Sequence, residues 1–463
     1  MTSLKSIFFI FWALLVKNVC AQTEPTLFFM NSLPQVVYTN PASVPAYKFT
    51  LGLPGSSVYA QYSNSGFNYK NVIVSQGDSS IIDLNKFTGS LKKKNYITTA
   101  FQADILRFGF KVNARMYFSY HLGVKSYTRM MLPKGLFSLL TEGTGALVSE
   151  TTSISPLIEN VQYLESSWGA SYIVNRKLTV GTNIKLLKGI TNATTANSTV
   201  DISVDNEYQI GIRADINAKT SGINNFDDDD YELEDNYKDF FKNNGFAIDL
   251  GAFYKLNERI NVGISLIDIG FINWKNDLYG YNLNPEKANF IFKGINLQRV
   301  LDNEGDYLDS ELDSLEDNFE FDEGVIGKYK TPIPGKIYLS GTYKLSRTVS
   351  AGALFFTEKF RNRFSASIST SIHKEFGTKF SASISYTATQ HSYNNIGAGV
   401  SLNLSPIQFY IVGDNLLRAP FSYLANNDLN SFANSTKYFN VRTGLNFVFG
   451  RIKSQEKLPN PQK

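Results

Sequence analysis

Three histidines and one cysteine bound the chemistry open to this chain. His373 follows Ser371 at a two-residue spacing, which on a strand puts hydroxyl and imidazole on one face. His391 lies in the segment 390–395, and His121 follows Tyr120. A Ser/His hydrolase needs an imidazole within reach of its nucleophile and a third group to orient it. None of the three histidines stands in a hydrolase motif, so no catalytic residue is assigned. Cys20 has no second cysteine for a disulfide or a Cys/His zinc cluster, so neither a metal nor a cofactor site is expected from these residues. The acidic run 227–230 offers clustered hard oxygens to a divalent cation; without calcium-loop spacing, the competing reading is a solvated, self-repelling loop.

The carboxylates are segregated. Residues 224–239 hold 8 acids and one Lys, and residues 302–323 hold 11 acids and no base. Beyond residue 21, the remainder carries 42 bases against 22 acids, so the small net charge of +4 conceals a basic body with two acidic inserts. In the second insert Leu308, Leu312, Leu315 and Phe319 recur at helical spacing, which predicts a short amphipathic helix. No recognised nucleic-acid module carries the basic residues, and no nucleic acid is expected as a partner. In a barrel they would line the lumen and the rims.

The apolar run 7–16 follows Lys5 and ends at Val19-Cys20-Ala21, the pattern of a secretory signal cut after Ala21. Ten residues are too few for a helical span, which needs roughly 20. Strict period-2 alternation fills much of the rest. Phe380, Ala382, Ile384 and Tyr386 alternate with Ser381, Ser383 and Ser385, and Phe364, Ala366 and Ile368 with Ser365, Ser367 and Ser369. This predicts fourteen strands, near 46–62, 104–112, 115–128, 161–174, 177–190, 244–256, 259–272, 335–346, 348–357, 363–373, 378–389, 395–404, 406–414 and 438–449.

Links after even-numbered strands are tight, such as Asn113-Ala114, Asn175-Arg176 and Asn257-Glu258. Those after odd-numbered strands include the long stretches 63–103, 129–160, 191–243, 273–334 and 415–437. Short turns on one rim and long loops on the other predict an all-β fold, a transmembrane antiparallel β-barrel. The stretch 198–217 reads as a ribbon within the third long loop; if it crosses with a partner, the barrel has sixteen strands. Tyr117, Tyr120, Trp168, Trp274, Tyr338 and Tyr386 stand near strand ends as candidate girdle aromatics.

Several short motifs occur in order: Asn40-Pro41-Ala42-Ser43-Val44-Pro45, Gly52-Leu53-Pro54, Phe108-Gly109-Phe110-Lys111, Pro133-Lys134-Gly135-Leu136, Lys185-Leu186-Leu187-Lys188-Gly189 and Gly413-Asp414-Asn415-Leu416. The chain thereby resembles a Bacteroidota outer-membrane barrel family known only as a domain of unknown function. That family is in turn similar to FadL-type long-chain fatty-acid transporter barrels, with fourteen strands and an N-terminal Asn-Pro-Ala plug. The resemblance implies that Asn40, Pro41 and Ala42 belong to a plug, although Ser43 stands where a Gly is common. From the residues alone, Asn40-Pro41 also reads as a simple turn.

The expected organisation is a signal peptide over 1–21, a periplasmic plug segment over 22–45, a barrel over 46–450 with acidic extracellular loops at 224–239 and 302–323, and a polar periplasmic tail over 451–463. The expected location is the bacterial cell outer membrane. The expected function is non-enzymatic: binding or passage of a hydrophobic or amphiphilic small molecule, with outer-membrane lipid around the wall. The rival is a scaffold that holds a surface or type IX secretion partner through its acidic loops.

Overall fold

Alternating residues give each strand a polar and an apolar face, and the chain turns the usual arrangement inside out. In the strand Arg363–Phe376, Ser365, Ser367 and Ser369 are buried, whereas Ile368 and Ile372 are 44% and 58% exposed. The structure, a computed structural model, describes residues 24–66, 73–76, 79–223, 242–283, 286, 288–292, 317–360, 363–389, 392–415 and 438–452. The apolar run 7–16, the cut after Ala21, the acidic stretch 224–239, residues 302–316, His391 and the tail 453–463 lie outside them.

Fourteen strands form one closed antiparallel wall. They are β1 (Tyr47–Gly52 and Val58–Asn64), β2 (Lys94–Lys111), β3 (Met116–Pro133), β4 (Leu157–Ile173), β5 (Leu178–Val204), β6 (Asn243–Lys255) and β7 (Ile260–Trp274). Then follow β8 (Gly335–Lys344), β9 (Val349–Phe360), β10 (Arg363–Phe376), β11 (Phe380–Thr389), β12 (Ser392–Leu404), β13 (Ile407–Asp414) and β14 (Tyr438–Arg451). Each strand pairs with the next in sequence, and β1 pairs with both β2 and β14, which leaves the wall no edge. Both halves of β1 keep these partners; the segment 53–57 between them breaks the ladder, with Leu53 turned outward and Ser56 and Ser57 inward.

The sixteen-strand alternative fails for a structural reason. β5 is a 27-residue strand, about 90 Å at an ordinary strand rise. Its second half leaves the wall and pairs with Ile210–Ser221, whose other edge takes Leu278–Leu283 and Asn289–Phe292 from the next connection. The ribbon therefore builds a sheet standing above the long-loop rim and adds no strand to the wall. Phe319 packs against this sheet beside Leu283 and Ala288, while Leu308, Leu312 and Leu315 lie outside the described residues.

Strand ends differ from expectation where a bulge switches the parity. β2 begins at Lys94 instead of residue 104, because the outward face passes from Phe101 and Ile105 to Phe110 across a bulge. Among the expected girdle aromatics, Trp168 and Tyr386 are exposed, but Tyr117, Trp274 and Tyr338 are corrections: all three are buried on the inner side, Tyr338 stacked on Phe28. Sequence position near a strand end does not fix the face; parity does.

The short-turn rim has its own recurrent chemistry. The Asn113 carboxamide oxygen accepts from the Arg115 and Met116 N–H groups, Asn175 from Lys177 and Leu178, and Asn257 from Arg259 and Ile260. An Asn in this position supplies from its side chain what the tight turn denies the backbone. Asn257→Ala is expected to lower stability by about 1 kcal/mol, measured as a shift in the urea midpoint in detergent.

Candidate functional site

Residues 24–43 run inside the lumen and contribute no strand to the wall. Two short turns of helix, Pro25–Phe28 and Pro34–Tyr38, keep the segment compact. Its apolar side chains find two patches in an otherwise polar interior. Leu27, Met30 and Leu33 pack on Tyr410 and Val412, and Phe28 and Phe29 pack among Ile267, Tyr338, Leu354 and Phe356. Polar anchors then fix the orientation. Thr26 donates to Asp414 at 2.6 Å, the Gln35 and Asn446 amides exchange bonds at 2.7 and 3.1 Å, and Tyr38 donates to Asp104 at 2.6 Å. Arg442 holds Glu24 with two charge-assisted bonds of 2.6 and 2.9 Å, the bidentate geometry that suits a guanidinium.

Asn40, Pro41 and Ala42 are all buried, and the wall is shaped to receive them. In adjacent strands Ser171, Gly181, Gly251 and Ser265 pair in one row across β4, β5, β6 and β7. Ser171 donates to the Pro41 carbonyl and Ser265 to the Thr39 carbonyl, each at 2.6 Å. Between them, a Cβ on Gly181 would overlap the Pro41 carbonyl, and one on Gly251 would overlap the Asn40 side chain and the Pro41 ring. Asn40 closes its own turn by accepting from the Ala42 N–H at 2.9 Å.

Above this row lies a network of buried charges. Asp268 sits at a bulge: Ile248 pairs with Ile269 and Leu250 with Leu266, so Ile267 and Asp268 together oppose Asp249. Its φ of 59° is one that Asp tolerates better than most residues. The bulge turns its carboxylate inward, where it meets Lys185 at 2.5 Å, Lys336 at 2.8 Å and Lys125 at 3.7 Å. Lys185 also meets Asp249, and Lys125 meets Glu165, both at 2.8 Å. Glu165 extends the network to His121 at 3.5 Å, and His121 reaches Asp104 at 3.1 Å, beside the second bulge of the wall. Arg129 and Glu358 face each other across the lumen at 3.3 Å.

These lumen charges nearly cancel, six Lys and Arg against seven Asp and Glu. Basic residues do line the lumen, as expected there, but buried carboxylates balance them. Between the segment and the network, Tyr38, Tyr59, His121, Lys185 and Asp268 border a cavity of about 40 Å³, room for a few ordered waters.

The residues considered for hydrolysis are not brought together. The Ser371 hydroxyl bonds that of Ser383 at 3.0 Å, and neither imidazole nitrogen of the buried His373 has a hydrogen-bond partner among the described residues. His121 is paired with carboxylates and adjoins the ring of Tyr38. Sequence reading missed the anchors Glu24, Asp104, Asp268 and Arg442. For the two aspartates the signal was present, as a slip of alternation parity after Ile105 and after Leu266.

A family model described as a family of unknown function, DUF5723, matches residues 41–414, most of the chain. The chain belongs to this family. The DUF5723 match begins at Pro41, within the seated turn, and ends at Asp414, the partner of Thr26. No curated protein sequence matches at a significant level. Solved structures with similar folds include the toluene transporter TbuX of Ralstonia pickettii, at 9% identity, TM-score 0.43, covering 90% of this chain and 94% of that one. A FadL homologue of Pseudomonas aeruginosa matches at 10% identity, TM-score 0.43, covering 93% and 97%. The translocator domain of the autotransporter NalP from Neisseria meningitidis matches at 9% identity, TM-score 0.35, covering 89% and 93%.

Proposed function

We propose that this protein is an outer-membrane barrel that binds or passes an amphiphilic small molecule, with residues 24–45 as a plug that includes Asn40, Pro41 and Ala42. The observation that carries this reading is how the segment is held. Among the described residues, every hydrogen bond between residues 24–43 and the wall uses a side chain on at least one side, with no backbone ladder. A segment fixed in this way fills the lumen and can leave it without unzipping a sheet. The outward apolar faces suit a bilayer, and an interior with two apolar patches beside a charged network suits a solute with a polar head and an apolar body.

In planar bilayers the intact protein is expected to conduct poorly, and deletion of residues 24–45 to produce open-channel steps. Arg442→Gln, which leaves Glu24 without its bidentate partner, is expected to raise the open probability with the segment still present. A deletion variant that remains heat-modifiable on gels and conducts no more than the intact chain would falsify the plug. The sheet standing above the long-loop rim favours a second reading, a surface scaffold. Bound amphiphile after mild detergent extraction supports passage, whereas a stoichiometric protein partner and an empty lumen support the scaffold.

A further inference from the structure

Since the lumen charges cancel, the basic excess of the body sits elsewhere, and much of it is on the short-turn rim. Five of the six short turns carry two bases each, at 111–115, 176–177, 255–259, 344–347 and 374–379, and Lys48 and Arg451 add two where the wall closes. Among the described residues of these turns, Glu258 and Glu375 are the acids that stand against the twelve, and Glu375 is already engaged by Arg451 at 3.3 Å. The turn geometry fixes the pattern, because the Asn that closes each of three turns sets the following Arg or Lys at the tip.

The bases lie beside outward apolar residues. Three turns are approached through a repeated triplet, Phe110-Lys111-Val112, Tyr254-Lys255-Leu256 and Tyr343-Lys344-Leu345. In each, the aromatic and the aliphatic residue are exposed, from 38% to 56%. An aromatic belt at the hydrocarbon boundary followed at once by cations puts the cations at the depth of lipid phosphates.

We propose that this rim is a collar for anionic phospholipid, its arginines and lysines engaging headgroup phosphates of the leaflet that meets the short turns. The collar rests on the membrane reading given above but not on the plug. A single basic turn would be ordinary rim charge; a ring of ten turn bases around a closed wall, with the acidic runs 224–239 and 302–323 in connections between other strand ends, is a surface of predominantly positive charge. Charge of this density selects lipid by net charge as well as by phosphate, since phosphatidylcholine carries the phosphate together with its own cation.

The test uses the full chain, delipidated in a non-ionic detergent and titrated with dioleoylphosphatidylglycerol or dioleoylphosphatidylcholine, with retained lipid read by native mass spectrometry. Phosphatidylglycerol is expected to be retained about tenfold more strongly, each phosphate-engaging base being worth about fivefold at a membrane surface. The preference should fall toward unity when Arg115, Arg176, Lys177, Arg259, Arg347 and Lys379 are all replaced by Gln, and in wild type at high salt. If that variant does not fold, the pair Arg176→Gln and Lys177→Gln is expected to lower the preference severalfold. Equal retention of the two lipids, or a preference that survives the substitutions, overturns the collar. A chain that stays soluble without detergent overturns the membrane reading itself, and plug conductance is a separate measurement.

Discussion

Asp268→Asn is expected to lower the unfolding free energy of the barrel by about 3–5 kcal/mol, the usual cost of removing one partner from a buried ion pair. The substitution keeps a residue that tolerates the left-handed backbone at this bulge, so the loss reports charge and not strain. In wild type Lys125, Lys185 and Lys336 face Glu165, Asp249 and Asp268, three charges of each sign. Without the Asp268 charge, three cations share two carboxylates in a space that excludes most water. Lys336 has Asp268 as its ion-pair partner, so Lys336→Met in the same chain should recover at least half of the loss by restoring the balance. Urea unfolding followed in detergent measures all three chains. A wild-type midpoint for Asp268→Asn would mean that the cluster is hydrated and does not hold the wall.

The second large effect belongs to the row that seats Asn40 and Pro41. Gly181→Val and Gly251→Val each add a branched side chain where the structure has the backbone or ring of the N-terminal segment in contact. Valine suits a strand better than glycine, so the wall itself should be unharmed. The expected result is a barrel of normal heat-modifiability whose residues 24–45 are cut by added protease at least tenfold faster, as expected of a segment opened from its seat. Ser171→Ala, which removes only the bond to the Pro41 carbonyl, should have a much smaller effect. Protection of the segment in both valine variants at the wild-type level would sink the idea that the two glycines admit it.

Much of the architecture was legible because it depends on local pattern. Alternation in Ser365–Ile372 or Ser381–Tyr386 names both faces of a strand without any knowledge of its neighbours. The contrast of Asn113-Ala114 with the stretch 129–160 separates the two rims. The interior was less legible, because its partners are distant in sequence: Arg129 and Glu358 are 229 residues apart, and Glu24 and Arg442 are 418. No periodicity relates such pairs. The bulges lie between these cases. After Leu266 the outward face passes to Ile269 and Phe271, and that slip marks Asp268 as the residue turned inward. At the N-terminus, Asn40-Pro41 alone supports a turn as well as a plug; the glycines that would receive it are about 140 and 210 residues away in the chain.

The anchoring of the N-terminal segment also constrains the order of assembly. Glu24, Thr26 and Ser32 are the first described residues to hydrogen-bond the wall, yet their partners Arg442, Asp414 and Ser381 stand on β14, β13 and β11. The same β14 closes the ring against β1. The earliest part of the chain therefore waits for the latest, and these holds form only as the circle is completed. Seating the segment and finishing the wall become one event, so a half-built barrel has neither a closed edge nor these anchors in place.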